Sequence, residues 1–414
     1  MNIKKLLIIG TIFQLFGCVP ITQLIFPFNP LPQPNGEYNI GSQIYTWTDS
    51  TRQEWFTKND TTDYRKLAVQ IWYPSTQKPI SKPMPYIDFI DKRIPILANQ
   101  LSDHLNLYLP IIHKKLRLPH YFVKHFNNML SYAYEGLSII ENGNLPILIF
   151  SHGLGGMRTQ NSVYIQQLAS HGYIVVAMDH AYDANISVFS DGKIALFNSD
   201  IPEDLPKNIQ NDIRSTQLKT RSEDITFIID QLYNLNNNAH SDFYNKFALK
   251  NIGVFGHSFG GTTSIYASIM DERIKACLAL DPWYEPLPKN IINNGLTIPY
   301  LHIGQEYWES KLNYKVRDEI LKNTQSTNFV STIIGSKHPD FIDFPLMVPK
   351  RIQNMLKNNE NFGTMNPRYV YNILNDLQLN FFNSYVKLSS SFNHEKIANN
   401  FQVLEILKNN YPNS

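Results

Sequence analysis

Asn251-Ile-Gly-Val-Phe255 runs directly into Gly256-His257-Ser258-Phe259-Gly260-Gly261, and a helical stretch over 262–270 follows. The first five residues read as a buried strand, so a Gly-x-Ser-x-Gly pattern sits between a strand and a helix. That placement has a mechanical meaning. A strand turning so sharply into a helix forces the central residue into a strained backbone, and its neighbours must be small for the two elements to approach. Gly256, Gly260 and Gly261 meet that demand. The helix N-terminus beneath Ser258 also presents free N–H groups to a developing negative charge. Ser258 is therefore the expected nucleophile. The pattern alone arises often by chance; its flanks give it force.

The surrounding chain repeats the same alternation. Leu145-Pro-Ile-Leu-Ile-Phe150 and Tyr173-Ile-Val-Val-Ala-Met178 are continuously apolar strands, with a helix expected over 161–170 between them. Helical spacing places Leu218, Ile225, Ile228, Ile229 and Leu232 on one face over 216–234. Further buried-type strands are expected at 274–280, 297–303 and 329–334, and a half-alternating one at 67–73. Strands apolar on both faces and alternating with helices predict an α/β fold with a mostly parallel sheet and helices on both sides. Directly after the strand at 145–150 comes Ser151-His-Gly-Leu-Gly-Gly156, a glycine-rich loop whose backbone can approach a substrate. In strand–turn–helix sites of this type such a loop gives one N–H to an oxyanion, and the residue after the nucleophile gives the other.

The acid and base should follow the serine in the order carboxylate, then histidine. His302 lies in the apolar run Pro299-Tyr-Leu-His-Ile303 and reads as a core histidine, while His394 has no strand before it. His338 follows the strand at 329–334 through Gly335-Ser-Lys, the loop position a general base needs. Asp281 ends the strand at 274–280, and Glu306 follows the next strand. Either carboxylate can reach one imidazole, so spacing leaves the acid open between them.

Composition bounds the rest. Apolar residues at 43% and charged residues at 17% allow a sizeable core and exclude global disorder. A net charge of +2 and a pI near 8.2 give no electrostatic footprint for nucleic acid. Lys4, Lys5 and the apolar run 6–16 lead to Leu15-Phe16-Gly17-Cys18, which resembles a bacterial lipobox. The expectation is a signal over residues 1–17, lipidation of Cys18, a tether over 18–37 and membrane attachment in the cell envelope, periplasmic or surface. An ordinary secretory signal, and hence a secreted protein, or a buried strand are the alternatives. Removing 17 residues from 414 leaves 397, which one enlarged domain over 38–414 accommodates. Cys277 then reads as a small core residue. No metal-ligand spacing is present, and no cofactor is expected.

Segment 80–143, broken by prolines, precedes the regular pattern as an insertion. Its apolar residues, with Lys114, Lys115 and Arg117, fit a lid facing lipid or an insertion packed on the sheet with a solvated edge. Residues 351–414 are expected to form C-terminal helices.

Several motifs together resemble the plasma-type platelet-activating factor acetylhydrolases, also called lipoprotein-associated phospholipase A2, of the α/β-hydrolase superfamily. They are Ser151-His-Gly-Leu-Gly155, Leu168-Ala-Ser-His-Gly172, Gly256-His-Ser-Phe-Gly-Gly261, Ala279-Leu-Asp-Pro-Trp283 with Pro286-Leu287, and Gly335-Ser-Lys-His338. The resemblance runs from about residue 36 to 350 and is densest over 145–180 and 250–287. It implies Asp281 as the acid, with Glu306 as fallback, and the Leu154 and Phe259 N–H groups as oxyanion donors. It also implies calcium-independent hydrolysis of phospholipids with short or oxidised acyl chains. One departure is Pro339-Asp340, where animal members carry Gln after the histidine. A broader carboxylesterase or polyester hydrolase shares the Gly-His-Ser-x-Gly-Gly signature. A surface lipoprotein that kept the fold as a binding module is the non-enzyme alternative.

Overall fold

The computed structural model describes residues 28–88, 129–141, 143–199, 201–202, 204–349 and 363–407, plus a few residues within 92–96 and 108–115 and Gln353. Ten strands form one sheet. They are β1 (Asn39–Gln53), β2 (Tyr64–Ser75), β3 (Ala133–Tyr134), β4 (Leu145–Ser151), β5 (Ile174–His180), β6 (Phe247–His257), β7 (Ile274–Leu280), β8 (Tyr300–Gln305), β9 (Asn328–Ile333) and β10 (Leu404–Leu407). Their order is β10-β9-β8-β7-β6-β4-β5-β2-β1-β3. The strands from β5 to β9 are mutually parallel, while β2 runs antiparallel to β5 and to β1, and β10 antiparallel to β9.

The continuous apolar runs are explained by burial on two faces. Leu148, Phe150, Val175, Phe255 and Leu278 point to one core, against α1 (Ser162–Ser170) and the later helix Pro367–Tyr385. Ile147, Ile149, Val176, Val254 and Cys277 point to the other, against α2 (Lys207–Asn237), α3 (Phe259–Met270), α4 (Lys289–Asn294) and α5 (Lys311–Asn323). Helix Pro367–Tyr385 is α6 and His394–Ala398 is α7. Cys277 is wholly buried, and burial pushes its thiol up to about 12. Residues 351–414, expected to be helical, also supply β10: Leu404 to Leu407 pair with Ile333 to Val330 and extend the sheet. Four residues without helical spacing gave no signal for this strand. Among the described residues no helix is long and apolar enough to cross a membrane. Residues 1–17 and Cys18 lie outside the described residues.

Of the insertion, residues 84–88 and 129–133 are pinned to the body. Tyr86 donates to Asp343 Oδ2 at 3.1 Å, Ile87 is buried, and Arg93 reaches Asp179 Oδ2 at 2.8 Å. Tyr108–Leu109 pair with Lys114–Lys115 in a two-residue ribbon, while Arg117 is outside the described residues.

A tight backbone contact lies where α3 meets the loop after β4. A Cβ on Gly260 would stand 2.0 Å from the Ser151 carbonyl oxygen and 2.4 Å from that of His152. Gly192, at φ +81°, has nothing within 4 Å of its imagined Cβ. Gly260→Ala should therefore destabilise by about 3 kcal/mol or more, since backbone must move. Gly192→Ala should cost about 1 kcal/mol, for the torsion alone. Urea unfolding midpoints compare the two; equal losses would mean that the contact is not the constraint.

Candidate active site

Ser258 caps α3 at φ +56°, ψ −123°, a region that non-glycine residues rarely occupy. Both of its backbone polar groups are held. Its N–H donates to Leu280 O at 2.9 Å, and its carbonyl accepts from Trp283 N–H at 3.2 Å. The strain is thus fixed by β7 and the turn that follows it. Glycine is required on each side: a Cβ on Gly256 would lie 2.3 Å from Gly260 O.

Asp281 leaves β7 at φ +41° and is fully buried. Its Oδ1 accepts from Gln305 N–H and Trp308 Nε1–H, each at 3.0 Å. Its Oδ2 accepts from Gln305 Nε2–H at 3.0 Å and from His338 Nδ1 at 2.5 Å. Four donors converge on one carboxylate, and His338 Nδ1 is one of them, so the imidazole ring is held in one orientation. Trp308 also stands edge-on to His338, with centroids 5.0 Å apart. The Asp281–His338 arrangement therefore leaves Nε2 as the free end of the ring. Glu306 is partly exposed, and its carboxylate is bonded by the Tyr307 hydroxyl rather than by His338.

The other two downstream histidines are enclosed. His302 is buried against the Tyr284 hydroxyl at 2.8 Å, and burial holds its imidazole well below the usual range. His394 is bonded to Ser331 Oγ at 2.7 Å and is depressed to about 4 by burial.

The glycine-rich loop 151–156 carries Leu154, whose N–H, like that of Phe259, donates to no group among the described residues. Amide N–H groups left without an acceptor are the kind of donor that a tetrahedral oxyanion needs. The loop is shaped from below. Buried His152 accepts from His180 N–H at Nε2 (3.1 Å), so its Nδ1–H donates to Gly153 O at 2.6 Å. Burial, together with the nearby Arg221, keeps this ring neutral, near 3. Arg221 donates to the His152 carbonyl and to Ser151 Oγ, and its guanidinium lies 5.0 Å from the Phe259 ring.

A hydrogen-bonded serine–histidine–aspartate array stands here: Ser151 Oγ to His180 Nε2 at 2.9 Å, and His180 Nδ1 to Asp224 Oδ2 at 2.8 Å. All three side chains are fully buried, so it braces the loop rather than meeting a substrate. The residues of this brace were not singled out in the sequence. Their signal was there: Arg221 and Asp224 interrupt the apolar stripe of α2, and buried charges need partners.

Beyond Trp283, whose ring lies 5.8 Å from that of Phe259, opens a cavity of about 270 Å³. Lys207, Arg214, Trp283 and Glu285 line it, with Arg214 over the Trp283 ring at 5.6 Å.

The family model of platelet-activating factor acetylhydrolase, isoform II, matches residues 26–402. The chain belongs to that family. It is 27% identical to the platelet-activating factor acetylhydrolase of Cavia porcellus over 261 residues, 60% of this chain and 59% of that protein. It is 25% identical to the Gallus gallus protein of the same name over 318 residues, 70% of this chain and 72% of that one. The match therefore spans less than two thirds of the guinea-pig protein's length. A ferulic acid esterase from Streptomyces cinnamoneus shares the fold at a TM-score of 0.67 and 19% identity, covering 92% of this chain and 99% of that one. This likeness, with the strand order above, makes the fold that of the α/β hydrolases.

The geometry separates the two carboxylates experimentally. Asp281→Asn should lower kcat for a short-chain ester by about 10⁴-fold, because an amide in place of the carboxylate holds the imidazole in the wrong tautomer. Glu306→Gln should change it less than twofold. A larger loss in the Glu306 variant would reverse the assignment.

Proposed function

We propose that the chain is a serine esterase that hydrolyses the acyl ester of phospholipids with short or oxidised acyl chains. The observation that carries this reading is the His338–Asp281 pair set beside a strained Ser258 and two undonated amides. Ser258 Oγ attacks the ester carbonyl as its proton passes to His338 Nε2, and Nδ1–H stays on Asp281. The Leu154 and Phe259 N–H groups hold the oxyanion; each such donor is worth roughly 3 kcal/mol in comparable sites. Collapse of the intermediate expels the alcohol with the proton from Nε2. Water then attacks the acyl-enzyme, giving its proton to Nε2, which returns it to Ser258 as the carboxylic acid leaves. None of these steps calls on a metal, so turnover should survive chelation by EDTA.

The cavity beside Trp283 favours a phospholipid over a small neutral ester. Lys207 and Arg214, which line it with Glu285, are cations of the type that recognises phosphate, and Trp283 of the same lining donates to the Ser258 carbonyl. The names of the relatives support the same class. Lipidation of Cys18 belongs to the proposal too, and would place the enzyme on a bacterial envelope membrane that contains its substrate.

Ser258→Ala should abolish hydrolysis of both nitrophenyl acetate and a 2-acetyl phospholipid while the protein stays folded. Retained turnover would remove Ser258 from the mechanism. Lys207→Glu should raise KM for the phospholipid about tenfold, the cost of one reversed charge contact, and leave nitrophenyl acetate unaffected. Equal effects on both substrates, or turnover of nitrophenyl acetate alone by the wild type, would favour the broader carboxylesterase.

A further inference from the structure

His257, the residue before the nucleophile, is buried and faces away from the strand core toward two loops. Its Nδ1 lies 3.2 Å from Gln160 Nε2, and its Nε2 lies 3.2 Å from the carbonyl oxygen of His338. The polarity of this chain is fixed from one end. Gln160 Oε1 accepts from Gly153 N–H at 2.9 Å, so its amide nitrogen must be the group facing His257. Nδ1 of His257 is then the acceptor, and Nε2–H donates to the His338 carbonyl. Burial and the neighbouring His338 hold the His257 ring well below the usual histidine range, consistent with one proton and one tautomer.

The chain therefore runs in one direction through three parts of the site: the oxyanion loop at Gly153, the elbow at His257 and the histidine loop at His338. Packing leaves it little play. A Cβ on Gly153 would meet His257 Nδ1 at 3.1 Å and Ser258 Cβ at 3.4 Å, and one on Gly156 would meet Gln160 Oε1 at 2.3 Å. The rings of His257 and His338 lie 4.5 Å apart and 34° from parallel. The backbone of Gln160 closes the loop by accepting from Asp343 N–H at 3.1 Å, just past the turn that carries His338. His338 is thus held at two points. Asp281 fixes its ring, and His257 fixes its main chain.

We propose that His257 and Gln160 are positioning residues that set the distance from His338 to both Ser258 and the oxyanion loop. The inference rests on the Ser258–His338–Asp281 reading. Because His257 is covalently next to Ser258, any shift of the elbow moves the carbonyl that anchors the base, and the two reacting side chains keep register. Neither residue needs to touch the substrate. Loss of the chain lets the base drift from the nucleophile, and a drift of about 1 Å costs on the order of a hundredfold in rate.

The test compares three variants of the whole chain on nitrophenyl acetate, with thermal midpoints measured alongside. His257→Phe keeps a ring of similar size without either nitrogen. It should lower kcat by roughly ten- to a hundredfold and leave KM within about twofold. His257→Gln places an amide N–H where Nε2–H stood and should recover most of that loss. Gln160→Met removes the relay from its other end without altering the elbow, and should lower kcat in the same way. Wild-type kcat in His257→Phe or in Gln160→Met would overturn the inference. So would equal impairment of the Phe and Gln variants, which is the mark of a packing role alone. Should His257→Phe not fold, Gln160→Met still decides. Failure of the underlying reading is seen separately, as Ser258-independent turnover in the parent enzyme.

Discussion

The site is organised by a backbone-on-backbone contact. Gly260, in the first turn of α3, lies so close to the carbonyls of Ser151 and His152 that no side chain fits between them. That approach brings the loop after β4 beside the turn after β6, although more than a hundred residues separate them in the chain. Parallel neighbours in the sheet make this possible: Ser151 of β4 pairs with Gly256 of β6, so both loops emerge at the same edge. The register of β6 with β7, where His257 opposes Leu280, brings Asp281 out beside them. Ser258, its strained torsion and the two amides depend on that alignment.

Beneath the contact lies a set of buried charges. Asp224 takes Arg65 at 2.6 Å, Arg52 at 3.0 Å and His180 at 2.8 Å; burial alone would raise its carboxyl, but the two guanidiniums hold it well below the usual range. Asp179, at the end of β5, is likewise opposed by burial and held down near 2 by Arg158 and Arg93. Such arrays add little net stability, since desolvation of the ions offsets their attraction. What they supply is direction. Breaking one leaves a buried charge unpaired, so the loop over them has one arrangement. Arg158 also bonds Asp88, which ties the segment before β3 to the base of the loop at 151–156.

The fold was legible because its strands are apolar on both faces and its helices are not. Expected elements at 145–150, 161–170, 173–178 and 274–280 match the observed ones to within two residues at every end. The helix over 216–234 is longer, Lys207–Asn237, because its first turns are polar and exposed and carry no periodic signal. Glycine spacing revealed the elbow and the loop at 151–156, since close approach leaves a mark in residue size. Spacing did not choose between Asp281 and Glu306. That distinction lies in the direction each strand end gives its side chain, which composition does not encode. The contacts of Gln160 and His257 are hidden in the sequence for the same reason: their hydrogen bonds join segments far apart in the chain.

Ser258, activated by His338 and Asp281, is the proposed nucleophile on which the other roles depend. A fluorophosphonate probe forms a covalent bond with an activated serine, and peptide mass spectrometry locates it. One adduct per chain, on the peptide carrying Ser258, is the result expected. No adduct, or an adduct on Ser151 of the buried array, would contradict it.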